Sequence, residues 1–229
     1  MTGQIVAMGG GGFSMEGDRV LDDYILGLTG RSRPRVGFLG TASGDHEGYI
    51  ERFHEGLSDR AETSDLRLFS QPSHDPSEWF AAQDVIYVGG GSTANLLAVW
   101  RVHGVDELAR AAYERGAILC GVSAGAICWF EAGITDSFGP LQELRDGVGI
   151  LGGSFTPHYD GEAERWPALR RAIEGGFPSG LAADDFAAAH FVDGELHSAV
   201  SSRRGAGVYR VSLGAADVHE EPIDTRYLG

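Results

Sequence analysis

Short apolar runs interleaved with stretches of helical period constrain this chain more than any other feature. Gln4–Met8, Val36–Leu39, Leu66–Phe69, Val85–Val88 and Ile118–Val122 are each four or five residues long and apolar for most or all of their length. Runs of this kind suit strands buried on both faces of a parallel sheet. Val20, Leu21, Tyr24, Ile25 and Leu28 form one helical stripe, and Tyr49, Ile50, Phe53 and Leu57 form a second. Leu96, Leu97 and Trp100, then Val105, Leu108, Ala112 and Tyr113, mark two more. Strand and helix in alternation predict a three-layer αβα fold with a mostly parallel sheet and right-handed crossovers.

After Leu181 the pattern changes. Ala187–Val192, Glu195–Ser201 and Gly207–Val211 read as short strands joined at Asp193-Gly194 and Arg204-Gly205. Asp-Gly between two such runs is a hairpin signal. The C-terminal part is therefore expected to add antiparallel strands to the parallel sheet. No linker, repeat or low-complexity segment divides the chain, so a single α/β domain over 1–229 is expected.

Charge narrows the partners. The chain has 18 basic and 33 acidic residues, a formal net charge of −15. Such an excess repels phosphate, which argues against nucleic acid and against anionic membranes. No apolar run approaches the ~18 residues of a membrane span, and no basic segment followed by an apolar one opens the chain. Cys120 and Cys128 lack the spacing of a disulfide scaffold or a metal site. A reduced, cytoplasmic protein is expected.

Glycine is over-represented, with 35 among 229 residues. Most cluster after the predicted strands: Gly9–Gly12, Gly40–Gly44, Gly89–Gly91 and Gly121–Gly125. Ligands of open α/β sheets bind beyond the carboxyl ends of the strands, so glycines there suit a backbone that approaches a ligand closely. Tight turns alone would also account for them.

Gly121-Val122-Ser123-Ala124-Gly125 is the sharpest motif. It follows the apolar Ala117–Cys120 and precedes the helix-like Ala126–Phe130, the setting of a G-x-S-x-G nucleophile on a strand-to-helix turn. A serine nucleophile needs a base. His158, in Thr156-Pro157-His158-Tyr159-Asp160, follows a proline that fixes the backbone just before it, which suits a side chain that must be held in place. His46, His54, His74 and His103 fall in polar loops or on helix surfaces and are expected to be solvated, whereas His190, His197 and His219 fall in the C-terminal strands. A carboxylate should orient the base, and Asp184-Asp185 follows the run Leu181–Ala183. The order Ser123, His158, Asp185 is one solution. An esterase of α/β-hydrolase type would instead pair Ser123 with Asp146 or Asp185 and then His190, His197 or His219. The Ala124 amide and the side-chain-free Gly90 and Gly91 could form the oxyanion hole. A phosphate loop is disfavoured there, because no Gly-Lys-Ser/Thr follows, and Ser14 stands where a dinucleotide fingerprint needs its third glycine.

Taken together, Met8–Phe13, Gly40–Asp45, Tyr87–Gly91, Gly121–Ala126 and Pro157-His158-Tyr159 resemble peptidase E and its relatives, the serine peptidases of family S51, which include cyanophycinases. The resemblance spans nearly the whole chain. It implies a fold like that of class I glutamine amidotransferases, with serine in place of their cysteine, and neither metal nor organic cofactor. It implies Ser123 as nucleophile, His158 as general base and Asp185 as the orienting acid; relatives often carry glutamate there, one methylene longer. It also implies a small peptide substrate, with dipeptides bearing N-terminal aspartate as the model. Ser92 stands where many relatives have asparagine and is the expected substrate contact. The competing classes are the esterase above and a non-catalytic protein of the same fold that binds a small molecule.

Overall fold

The computed structural model describes residues 2–15, 19–70, 74–215 and 217–229. The first half alternates as expected: β1 (Gln4–Met8), α1 (Val20–Leu28), β2 (Arg35–Leu39), α2 (Glu47–Leu57), β3 (Glu62–Asp65), α3 (Pro76–Ala82), β4 (Val85–Val88), α4 (Thr93–His103), α5 (Val105–Arg115), β5 (Ile118–Val122) and α6 (Ala124–Ile127). The second half is mostly strand: β6 (Phe130–Thr135), β7 (Gln142–Leu144), β8 (Leu151–Thr156), α7 (Arg165–Glu174), β9 (Gly180–Ala183), β10 (Ala187–Val192), β11 (Glu195–Ser201), β12 (Val208–Leu213), β13 (Val218–Ile223) and β14 (Thr225–Tyr227).

One sheet runs β14-β11-β10-β1-β5-β4-β2-β3. Strands β1, β5, β4, β2 and β3 are parallel, and β10 joins β1 antiparallel. Period-two alternation explains why the central strands read as unbroken apolar runs. Ile5, Ala7, Ile86, Val88 and Leu119 face the layer that holds Trp79, Leu96, Leu97, Trp100 and Ala109 of α3, α4 and α5. Val6, Met8, Val85, Tyr87 and Cys120 face Leu21, Ile25, Ile50 and Phe53 of α1 and α2. The expected three layers are present in this half.

The C-terminal strands depart from expectation. β10 and β11 extend the first sheet, but β12 does not. It belongs to a second sheet, β13-β12-β9-β8-β6-β7, in which β6, β8 and β9 are parallel and β12 is antiparallel to β9. One face of this sheet is covered by Ala168, Leu169, Ala172 and Ile173 of α7. Its other face joins the core of the first sheet through Phe130, Leu151, Phe155, Leu181 and Val208. Local patterning at Gly207–Val211 marks a strand but carries no information about which sheet receives it.

A second difference is at β3. The strand is the polar Glu62–Asp65, and the apolar Leu66–Phe69 follows it. Among the described residues β3 is an edge strand paired with β2 alone, so its residues need not be apolar. Leu66 and Leu68 are buried without belonging to a strand. The helix expected over Ala126–Phe130 is likewise displaced: α6 ends at Ile127, and Phe130 already opens β6. Among the described residues, no helix is long and apolar enough to cross a membrane.

Candidate active site

Ser123 sits between β5 and α6 with φ 56° and ψ −116°, a region that non-glycine residues rarely occupy. The flanking glycines permit this turn by letting backbones touch. A Cβ on Gly121 would lie 2.1 Å from the Gly125 carbonyl oxygen, and one on Gly125 would lie 2.2 Å from that of Val88. The Ser123 amide donates to the Met8 carbonyl at 3.2 Å, which ties the turn to the end of β1. A Cβ built on Gly90 would stand 3.4 Å from Ser123 Cβ, so the Gly89–Gly91 loop lies beside the serine.

His158 and Asp185 come from the second sheet, just beyond the ends of β8 and β9. His158 follows Thr156-Pro157 and has φ 52°. Its Nδ1 lies 2.7 Å from Asp185 Oδ1, with the two side chains 21% and 17% exposed. Aspartate therefore reaches the imidazole despite being a methylene shorter than glutamate. The first sheet meets this pair through an isolated parallel bridge between Gly10 and Asp185. A Cβ on Gly9 would lie 2.3 Å from the Asp184 carbonyl oxygen, and one on Gly10 would lie 2.1 Å from Asp185 Oδ1. These two glycines let the two sheets converge; their close contacts are with protein rather than with an approaching ligand. Among the described residues, the Ser123 hydroxyl and His158 Nε2 make no hydrogen bond to one another.

The adjacent aspartates, at the start of a turn closed by the Ala187 amide on the Asp184 carbonyl at 3.2 Å, have different surroundings. Asp184 is 4% exposed. Its Oδ2 accepts from the Gly207 amide at 2.9 Å and the Tyr209 hydroxyl at 3.2 Å, which ties β9 to the start of β12. Burial pushes its carboxyl above the ordinary aspartate value, partly opposed by the Gly207 bond.

Other expected residues are engaged elsewhere. The Gly90 amide donates to the Tyr49 hydroxyl at 3.1 Å, so this expected oxyanion donor already has an acceptor. Among the described residues, the Gly91 and Ala124 amides have no such partner. Ser92 is the N-cap of α4, its hydroxyl accepting from the Asn95 amide at 3.3 Å. His54 is not simply solvated: its ring nitrogens lie 2.9 Å from Thr63 Oγ1 and 3.0 Å from Asp65 Oδ1. Both nitrogens of His190 are also occupied, by Tyr24 at 2.8 Å and Gln4 at 3.0 Å, which removes it as a base for the esterase arrangement. Among the described residues, no group of three or more His, Cys, Asp or Glu is spaced to hold a metal ion.

Sequence reasoning did not single out Tyr49 or Asp160 as site residues. Tyr49 was legible only as one member of an apolar helical stripe. Asp160 stands two residues after His158, and that proximity was its only signal.

The sequence model of peptidase family S51 matches residues 5–199. The chain belongs to peptidase family S51. It is a serine peptidase of that family. A relative in Bacillus subtilis (strain 168), the uncharacterized peptidase YgaJ, is 51% identical over 229 residues, covering 99% of each chain. The crystal structure of a peptidase from an acI-B1 Actinobacterium superposes with a TM-score of 0.74 at 16% identity, over 96% of this chain and 97% of that one. A putative peptidase E protein from Listeria monocytogenes EGD-e gives a TM-score of 0.62 at 16% identity, over 98% and 100%. At such identities the two structures speak to the fold alone.

Proposed function

We propose that the protein hydrolyses small peptides through an acyl-enzyme formed on Ser123, with His158 as general base and Asp185 orienting it. The observation that supports this reading is the His158–Asp185 pair at 2.7 Å, bridged through Gly10 to the end of β1, the strand end to which the Ser123 amide is bonded. With its proton on Nδ1 facing Asp185, the neutral imidazole offers Nε2 as the acceptor. His158 removes the Ser123 hydroxyl proton as the oxygen attacks the scissile carbonyl, and returns that proton to the leaving amine. Water, activated by the same nitrogen, then hydrolyses the ester.

In this reading the oxyanion is received by the Ala124 and Gly91 amides. Gly90, whose amide is given to Tyr49, braces the loop instead. Dipeptides with N-terminal aspartate are the first substrates to try, with Ser92 at the rim of the site. The setting is the cytoplasm, where the buried Cys120 and Cys128 remain thiols. A fluorophosphonate probe combined with a screen of short peptides, Asp-X and β-aspartyl peptides included, tests the reading. It expects labelling at Ser123 that is lost in His158→Ala, and turnover of at least one peptide. A native protein that resists the probe while control hydrolases react would sink it.

A further inference from the structure

We propose that Asp160 is a positioning residue for the peptidase reaction, holding the main chain of Asp185 so that its carboxylate stays on His158. The inference rests on the reading of Ser123, His158 and Asp185 given above. Beyond the last β8–β9 pair, Thr156 with Ala182, the ladder is prolonged by a bond from the Tyr159 amide to the Ala183 carbonyl at 3.1 Å. At the next step, among the described residues, no backbone acceptor takes the Asp185 amide. The Asp160 side chain takes it instead, Oδ1 accepting from Asp185 N–H at 2.8 Å.

The same short turn therefore grips Asp185 at three points. His158 holds Oδ1 of the carboxylate, and Asp160 holds the amide. Gly161 passes so close to Oδ2 that a Cβ there would lie 2.7 Å from it. Gly10 closes the opposite side. The second oxygen of Asp160 is held in turn: Arg203 donates to Oδ2 at 2.7 Å, lies 3.4 Å from the Asp185 carbonyl, and places its guanidinium 4.4 Å from the Phe186 ring centroid. Phe186 itself has φ 67° and donates its amide to the Gly10 carbonyl at 3.1 Å. Two loops from different strands are thus clasped around one carboxylate, His158 bridging them at the carboxylate and Asp160 at the main chain.

A hydrogen bond from a main-chain N–H to a carboxylate is strong enough that its loss should be visible in rate. The test is the rate of Ser123 labelling by a fluorophosphonate in the full-length protein, with melting temperature measured alongside. Asp160→Ala is expected to slow labelling by about 10–100-fold. Asp160→Asn keeps an oxygen for the Asp185 amide and is expected to stay within about 3-fold of wild type. In an Asp185→Asn background, Asp160→Ala is expected to add less than about 2-fold, because it acts through a residue already disabled. If Asp160→Ala does not fold, Arg203→Met carries the test: several-fold slowing in the wild-type background and none in Asp185→Asn. Wild-type labelling of folded Asp160→Ala, or an undiminished effect in Asp185→Asn, overturns the proposal. If Asp185→Asn itself labels at the wild-type rate, the reading of Asp185 fails and the role of Asp160 falls with it. Slow Asp185→Asn beside fast Asp160→Ala removes Asp160 alone.

Discussion

His158 and Asp185 are 27 positions apart in the chain and 2.7 Å apart in space, each on the first turn beyond a strand of the second sheet. Parallel pairing of β8 with β9 brings the two turns side by side, and the Gly10–Asp185 bridge sets them against the sheet that carries Ser123. If this carboxylate orients the base, Asp185→Asn should preserve the melting temperature and reduce turnover by roughly 10²–10⁴. Asp184→Ala should show the converse: a stability loss of about 1–3 kcal/mol, because the Gly207 and Tyr209 donors lose their acceptor, with turnover largely kept. Rates and thermal melts on the two variants check both halves.

Ser123 separates stability from function. Ser123→Ala should lower turnover by on the order of 10⁴ or more without disturbing the fold. Ser123→Gly should be equally inactive yet more stable than Ser123→Ala. Its backbone occupies a region that costs a side-chain-bearing residue about 1–3 kcal/mol, which exceeds the roughly 0.5–1 kcal/mol of added chain entropy for glycine. At about 2–4 °C per kcal/mol for a protein of this size, the difference is measurable by calorimetry. A lower melting temperature for the glycine variant would show that the turn is not strained.

Two glycine substitutions should fail in different ways. Gly125→Ala drives a methyl into the Val88 carbonyl, a backbone group that cannot move aside, so the expected result is a loss of stability of at least about 1–3 kcal/mol. Gly10→Ala meets the Asp185 carboxylate first. It should cost activity about as severely as Asp185→Asn, while melting closer to wild type than Gly125→Ala does.

His190 supplies a pH dependence unrelated to catalysis. Burial, reinforced by neighbouring His197, lowers its pKa from 6.5 to about 4. The unfolded chain therefore binds this proton more readily than the folded one between those values. Its contribution to stability is complete above about pH 6.5 and is lost as pH falls toward about 4. Denaturant unfolding at a series of pH values should show this slope in the wild type, and a shallower one in His190→Gln. Identical slopes would assign the acid sensitivity to other groups.

The pattern of residues determined the alternation of the first half and the candidate nucleophile. Strands buried on both faces must be apolar throughout, and a strand-to-helix turn this tight needs glycines on either side of the serine. Both requirements are local, so Gln4–Met8, Val85–Val88, Ile118–Val122 and Gly121–Gly125 were legible without coordinates. His158 and the aspartate pair were legible as candidates in the right order. Tertiary structure decided what depended on pairing across the chain: that β12 joins β9 rather than β11, that β3 is a polar edge strand, and that the Gly90 amide belongs to Tyr49. It also decided between two identical neighbours, sending Asp184 to Gly207 and Asp185 to His158. A sequence shows which side chains alternate along a strand; only the packed sheets determine which neighbour each side meets.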